Sequence, residues 1–444
     1  MSNLFDRLIR NTPNTMAKAI ENIDGTIYSY GDLFALSAQI AHVLVAQGVK
    51  PGDRVAAQVE KSVPALVLYL ATVRAGAVYL PLNTAYTLAE LDYFIGDAEP
   101  SLIVCDPSSE KGILELAAKV GAKVLTIDPV GQGSLVSAAA QQSREFSTID
   151  RRGDDLAAIL YTSGTTGRSK GAMLTHDNLH SNAATLVEYW RFTSNDVLIH
   201  ALPIYHTHGL FVASNVTFFS GASMIFLPKF DPEKIMDLMG RATCLMGVPT
   251  FYVRLLQHPK LNKDTVKNMR LFVSGSAPLL ADTHREWSAK TGHAILERYG
   301  MTETNMNTSN PYDGERVPGA VGHPLPGVSV RIADPETGTL LAAEEIGMIE
   351  VKGPNVFKGY WRMPEKTQAE FKPDGFFITG DLGKIDTRGY VHIVGRGKDL
   401  IITGGFNVYP KEIESEIDAM PGVFESAVIG VPHPDFGEGV TAIV

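Results

Sequence analysis

Short β-branched runs alternate with amphipathic segments along most of this chain, and that rhythm constrains its fold more than any other feature. Residues 55–59 read as a strand, 63–75 as a helix and 77–82 as a strand. A helix at 87–97 and strands at 101–105 and 123–127 follow. The rhythm resumes with 156–161, 177–190, 197–202, 224–227, 232–241, 245–248 and 271–274. Such alternation predicts an α/β fold of mostly parallel sheets covered on both faces. The chain has 444 residues, against about 150 for an ordinary domain, so one large body plus an appendage is expected.

The character changes near Pro311. Residues 311–395 are punctuated by Pro318-Gly319, Pro326-Gly327, Asp374-Gly375 and Arg388-Gly389, with short strands between. This pattern predicts a small antiparallel sheet or barrel-like subdomain over 311–396. The main domain is expected to span 1–396, with a polar joint at 397–399. Residues 400–444 then read as the start of a small α+β domain. Only 46 residues follow Lys398, and the last five read as a strand, so this second domain reads as unfinished.

Charge excludes some partners. With 39 basic against 49 acidic residues the net charge is −10, which argues against a nucleic-acid surface. Cys105 and Cys244 lie in apolar runs and read as buried thiols in a reducing compartment. The N-terminus has no leader pattern. Residues 209–227 carry no charge, but Ser214, Asn215, Thr217, Ser220 and Gly221 interrupt them. They are expected to form a buried helix and then a buried strand, not a membrane span. A cytoplasmic protein with no membrane contact is expected.

The strongest chemical feature is Tyr161-Thr-Ser-Gly-Thr-Thr-Gly-Arg-Ser-Lys-Gly171, read as lying between a strand and a helix. Glycines and hydroxyls let backbone N–H groups approach phosphate, and a lysine adds charge. It is not the P-loop of nucleotide triphosphatases, because Ser169 and Gly171 flank Lys170 where Gly and Ser or Thr are needed. His206-Thr-His208 has no nearby Cys or carboxylate and is a weak zinc signal. His200 and His208 read as structural.

The 161–171 segment resembles the phosphate loop of the adenylate-forming superfamily, which includes acyl-CoA synthetases. Further matches follow in that family's order: 203–209, Gly275-Ser-Ala-Pro278, Tyr299-Gly-Met-Thr-Glu-Thr304, Thr379-Gly-Asp381, Gly395-Arg396 and Gly404-Gly-Phe-Asn407. The family's late catalytic lysine would lie beyond Val444. The resemblance implies ATP, Mg²⁺ and coenzyme A as ligands, with an acyl-adenylate as intermediate. It implies that Thr162, Ser163, Gly164, Thr165, Thr166, Gly167 and Lys170 embrace the β- and γ-phosphates. Gly275, Ser276, Ala277, Pro278, Tyr299, Gly300, Met301 and Thr302 would line the adenine slot. Asp381 would take the ribose hydroxyls with Arg396 beside it. Glu303, with Thr166, would hold the metal, and His206 would meet the reacting carboxylate. His206, Glu303 and Lys170 are the expected catalytic set.

The acyl partner follows from two arginines. Arg254 and Arg298, with residues 297–309, resemble the malonate–CoA ligase group within this family. A cation in an acyl pocket suits a substrate with a second carboxylate, here held chiefly by Arg254, with Arg298 and His206. Alternatives are a ligase for methylmalonate, succinate or acetate, or a nucleotide-binding fragment with little turnover. Lys398 is the expected hinge of a domain rotation, and Gly404, Gly405 and Phe406 the expected lining of a CoA tunnel.

Overall fold

The computed structural model describes residues 2–162, 168–403, 406–418, 420–423, 425–434 and 436–444. Two large sheets carry the α/β body. One has nine strands, with Leu296–Met301, Leu271–Ser274, Cys244–Gly247, Val197–His200, Ser223–Phe226 and Lys18–Asn22 parallel in that spatial order. Asn305–Ser309 and His323–Pro324 extend one side and Ile27–Ser29 the other, all antiparallel. The second sheet runs Lys123–Thr126, Leu102–Cys105, Arg54–Gln58, Val78–Pro81, Leu156–Thr162 and Lys170–Thr175. Only its last pair is antiparallel.

The helix Val63–Arg74 is apolar nearly all round, whereas others, such as Glu110–Val120, bury a single face. In Val63–Arg74 every residue from Ala65 to Val73 is buried, and Ser62 caps its first turn by accepting from Ala65 N. The tightest large side chains are Trp190, Trp287, Tyr30 and Tyr69. Tyr30 and Trp190 spend their polar atoms inside: Tyr30 donates to Ala222 O at 2.7 Å and Trp190 to Ser309 Oγ at 2.9 Å. Each such burial satisfies the polar tip while its ring adds apolar area. Both cysteines are buried, and burial pushes their thiols up to about 11 at Cys105 and about 12 at Cys244.

The charge-free stretch behaves as a buried element. His208–Ser214 is a π-helix that continues as the α-helix Asn215–Ser220; Gly221 ends it, and the strand Ser223–Phe226 follows. Among the described residues no helix is long and apolar enough to cross a membrane.

One expectation changes. The phosphate-loop segment does not join a strand to a helix. Leu156–Thr162 and Lys170–Thr175 pair antiparallel, with Thr162 opposite Lys170, so the segment closes a hairpin. The apolar run Gly171–Leu174 repays strand pairing, and the helix His176–Tyr189 starts only after Thr175, which accepts from Asn178 N as its cap. Beyond residue 311 the β-rich part is, as expected, a small antiparallel sheet, four strands in linear order: Ser329–Ala333, Gly347–Lys352, Phe377–Ile385 and Val391–Arg396. Gly397–Asp399 forms one 3₁₀ turn after it. The final sheet contains Phe406–Val408, Ile401–Thr403, Gly437–Ile443 and Ala427–His433, with the helix Pro410–Asp418.

Gly221 sits at φ +70°, and a Cβ there would lie 2.6 Å from Asn11 O. Gly48 sits at φ +92° with nothing within 4 Å. Gly221→Ala should therefore lower unfolding free energy by about 2 kcal/mol or more, beyond the roughly 1 kcal/mol of left-handed strain expected for Gly48→Ala. Urea unfolding of both variants checks this.

Candidate active site

The site forms where the strands Leu271–Ser274 and Leu296–Met301 end side by side. The first runs into Gly275-Ser276-Ala277-Pro278, with Ser276 at φ +72° and all but Gly275 exposed to the cleft. The second presents Arg298 and Tyr299 on successive positions, hence on opposite faces. Gly275 is required where it stands, because a Cβ would overlap the Arg298 guanidinium. Gly300 lies at a register shift between its strand and Asn305–Ser309, where a Cβ would overlap the Asn305 carbonyl. Met301 and Thr302 follow, half-buried, at the turn.

Tyr299 reaches across to the antiparallel sheet. Its hydroxyl donates to Asp381 Oδ2 at 2.5 Å, while Arg396 Nε lies 2.7 Å from Asp381 Oδ1. Thr379 Oγ1 accepts from Asp381 N at 3.0 Å and so fixes the turn. Burial pushes the Asp381 carboxyl up, and Arg396 and Tyr299 pull it back. Three residues expected at the nucleoside thus converge from strands 82 positions apart in sequence.

A second cluster surrounds Lys170. Its ammonium lies 3.2 Å from Glu370 Oε1 and 3.2 Å from the Tyr360 hydroxyl, 4.2 Å from the centre of the Tyr360 ring. The Tyr360 hydroxyl lies 3.0 Å from Glu303 Oε1 and 2.7 Å from Glu370 Oε2. Glu303 is buried, and burial pushes its carboxyl up. Among the described residues no three His, Cys, Asp or Glu side chains group as a metal site. One buried carboxylate, joined through Tyr360 to the lysine expected at phosphate, fits a hard cation that takes its other ligands from phosphate and water.

The third cluster is basic and lacks an acid. Arg298 is 3% exposed, and its Nε and Nη2 are buried without a partner among the described residues. Burial pushes the guanidinium down to about 9. Neighbouring Glu297 does not pair with it; Glu297 faces the other side, 3.0 Å from His284 Nδ1, and accepts from Gly319 N at 3.2 Å. His206 and His208 lie close enough that burial, and then Arg298, push both imidazoles down. His208 Nδ1 lies 3.3 Å from Ser276 Oγ, and its Nε2 has no partner among the described residues. This arrangement can receive an anion.

Arg254 sits differently. It lies exposed in the last turn of Pro249–Leu256, its guanidinium 6.0 Å from the Phe230 ring centre, with no ion pair among the described residues. The buried, unpaired cation is Arg298. Lys398 is half-exposed, 3.8 Å from Asp399. Ser163, Gly164, Thr165, Thr166, Gly167, Gly404 and Gly405 lie outside the described residues, as does the Phe406 side chain.

Sequence reasoning missed Tyr360, Glu370 and Lys61. Lys61 is buried without an acid: Nζ lies 2.9 Å from His200 Nδ1 and donates to His200 O at 2.8 Å. Burial pushes the amine well below its usual range. His200 Nε2 in turn lies 2.9 Å from Gly209 O, within the π-turn behind His206 and His208. His200 thus has both ring nitrogens engaged inside the fold. No local motif marks Lys61, because its partner is 139 residues away.

Comparisons with known proteins show the family. The family model described as AMP-binding enzyme matches residues 5–361. A malonate–CoA ligase of Arabidopsis thaliana is 35% identical over 482 aligned residues, covering 99% of this chain and 78% of that protein. The mitochondrial malonate–CoA ligase of Mus musculus is 37% identical over 457, covering 94% and 78%. The crystal structure of ATP-bound MatB from Rhodopseudomonas palustris superposes with a TM-score of 0.98 at 76% identity, covering 99% of this chain and 88% of that one.

A buried cation without a counterion costs folding energy. Arg298→Met should raise the urea midpoint of the ligand-free protein, by about 1–3 kcal/mol of unfolding free energy. A lowered midpoint would mean the guanidinium already has a partner.

Proposed function

Because the chain belongs to the AMP-binding enzyme family, we propose that it is an ATP-dependent, AMP-forming ligase that joins malonate to coenzyme A through a malonyl-adenylate. One observation carries the choice of acid: the buried Arg298 guanidinium has no anion of its own and sits directly behind Gly275 of the expected adenine wall. A short diacid satisfies both requirements. Its far carboxylate pairs with Arg298, and its near one lies within reach of the nucleotide.

In the first step a malonate carboxylate oxygen attacks the α-phosphorus of ATP, and the bond to the β-phosphate oxygen breaks. Lys170 neutralises charge on the departing pyrophosphate. Glu303 would hold Mg²⁺, which when bound supplies further charge neutralisation. Asp381 accepts from the ribose hydroxyls, with Tyr299 and Arg396 fixing its carboxylate. His206, whose imidazole burial and then Arg298 push down, hydrogen-bonds the reacting carboxylate without adding a second positive charge beside the guanidinium. In the second step the CoA thiolate attacks the acyl carbonyl, and AMP leaves with the bonding pair. We assign the hinge to Lys398 within 397–399, between a body of 1–396 and a domain beginning at residue 400. Gly404, Gly405 and Phe406 line the pantetheine path in this reading. Arg254, on the exposed rim, adds long-range attraction for the dianion rather than the buried pairing. Buried thiols at Cys105 and Cys244 suit a reducing compartment such as the cytoplasm.

Pyrophosphate release with malonate, succinate, acetate and octanoate tests the reading. Malonate should be used best, and a preference for octanoate would overturn it. Arg298→Met should lower kcat/KM for malonate at least about 100-fold, with ATP binding within about threefold of the parent. Arg254→Ala should cost less, and mainly at low ionic strength, because screening at high ionic strength removes the attraction from the parent as well.

A further inference from the structure

Lys170 is the cation the proposed first step needs at the leaving phosphates, yet it already has an anion. Its ammonium lies 3.2 Å from Glu370 Oε1, and the two side chains are only 16% and 19% exposed. Solvent therefore screens this pair far less than a surface ion pair. Glu370 ends the helix Pro364–Glu370 and is held from three sides. Lys366 Nζ lies 2.8 Å from the same Oε1, one turn back. The Tyr360 hydroxyl lies 2.7 Å from Oε2. Tyr360 also supports Lys170 by its hydroxyl and its ring face and reaches Glu303. One phenol thus joins the phosphate lysine to the carboxylate expected at the metal.

A carboxylate and a phosphate oxygen are the same kind of acceptor for an ammonium, so they compete for it. We propose that Glu370 is a positioning residue that stands in for phosphate. It holds Lys170 over Tyr360 in the nucleotide-free protein, yields it when ATP arrives, and takes it back as pyrophosphate leaves. This rests on the reading of Lys170 as the phosphate lysine. Holding Lys170 in a competing pair lowers the apparent affinity for any phosphate ligand by the fraction of time it is held. That loss opposes trapping of the product, because pyrophosphate lacks the base and ribose contacts through which ATP recovers binding. The arrangement therefore favours release at the cost of initial affinity.

The test uses the whole protein with Glu370→Gln, which keeps shape and a hydrogen-bond partner for Tyr360 while removing the charge. Calorimetric titration with pyrophosphate, and separately with ATP, reads binding; product inhibition by pyrophosphate reads release. Both ligands should bind about three- to tenfold more tightly, with pyrophosphate gaining at least as much as ATP. Pyrophosphate should also inhibit at correspondingly lower concentration. Glu370→Asp should stay closer to the parent, and Glu370→Asn gives the same readout if the Gln variant does not fold. In a Lys170→Met background the gain from Glu370→Gln should vanish. Unchanged or weaker pyrophosphate binding in Glu370→Gln, with Lys170→Met still impairing ATP binding, overturns the handover alone. If Lys170→Met leaves ATP and pyrophosphate binding intact, the phosphate role of Lys170 falls and the handover with it.

Discussion

A guanidinium shut away from water without an acid beside it is the condition on which the rest of this site depends. Arg298 lies on a parallel strand inside the larger sheet, buried, with Nε and Nη2 unpartnered among the described residues. Its nearest carboxylate in sequence, Glu297, is turned away and occupied by His284. Burial, and then Arg298, push the neighbouring imidazoles of His206 and His208 down. A protein that maintains such an arrangement accepts a loss of stability at that point. Selection tolerates such losses where binding a ligand recovers them.

Much of this was legible in the sequence, for reasons that differ from residue to residue. The parallel body was readable because buried parallel strands are short apolar runs, and the strand at Leu271–Ser274 appears at its expected bounds. Asp381, Tyr299, Arg396, Lys170 and Glu303 were readable through the family's ordered motifs, and the structure gathers them into two clusters. The relative weight of the two arginines was not readable. Arg254 and Arg298 differ in burial, and burial depends on how Pro249–Leu256 packs rather than on any local pattern. The hairpin at Leu156–Thr175 was missed because its return strand begins with Lys170 and Gly171, which read as loop residues. Tyr360 and Glu370 lay outside recognition because their meaning arises only when a helix end near residue 370 meets a hairpin mouth near residue 170.

The polar groups that hold the site are themselves held by long-range contacts. His200 links Lys61 to the π-turn at His208–Ser214, and Asn182 accepts from Met306 N and donates to Met306 O, beside the strand that follows Glu303. Such bonds fix side chains whose local sequence would leave them several rotamers. Buried polar networks of this kind specify one arrangement when every member is satisfied. Arg298 Nε and Nη2, His208 Nε2, Thr207 Oγ1 and Ser274 Oγ are among the buried atoms left without partners in the described residues.

Arg298 and Tyr299 are consecutive, and the pleat sends them to opposite faces of one strand, toward different substrates. Losing or gaining a single residue upstream within Leu296–Met301 would exchange their faces at a stroke, putting a phenol where Arg298 now lies and a cation against Asp381. In the proposed reading, acyl choice and nucleotide grip therefore share one reading frame of the pleat. On that reading, new acid preferences arise by swapping side chains at Arg298 or around it, whereas length changes in that strand forfeit both substrates together.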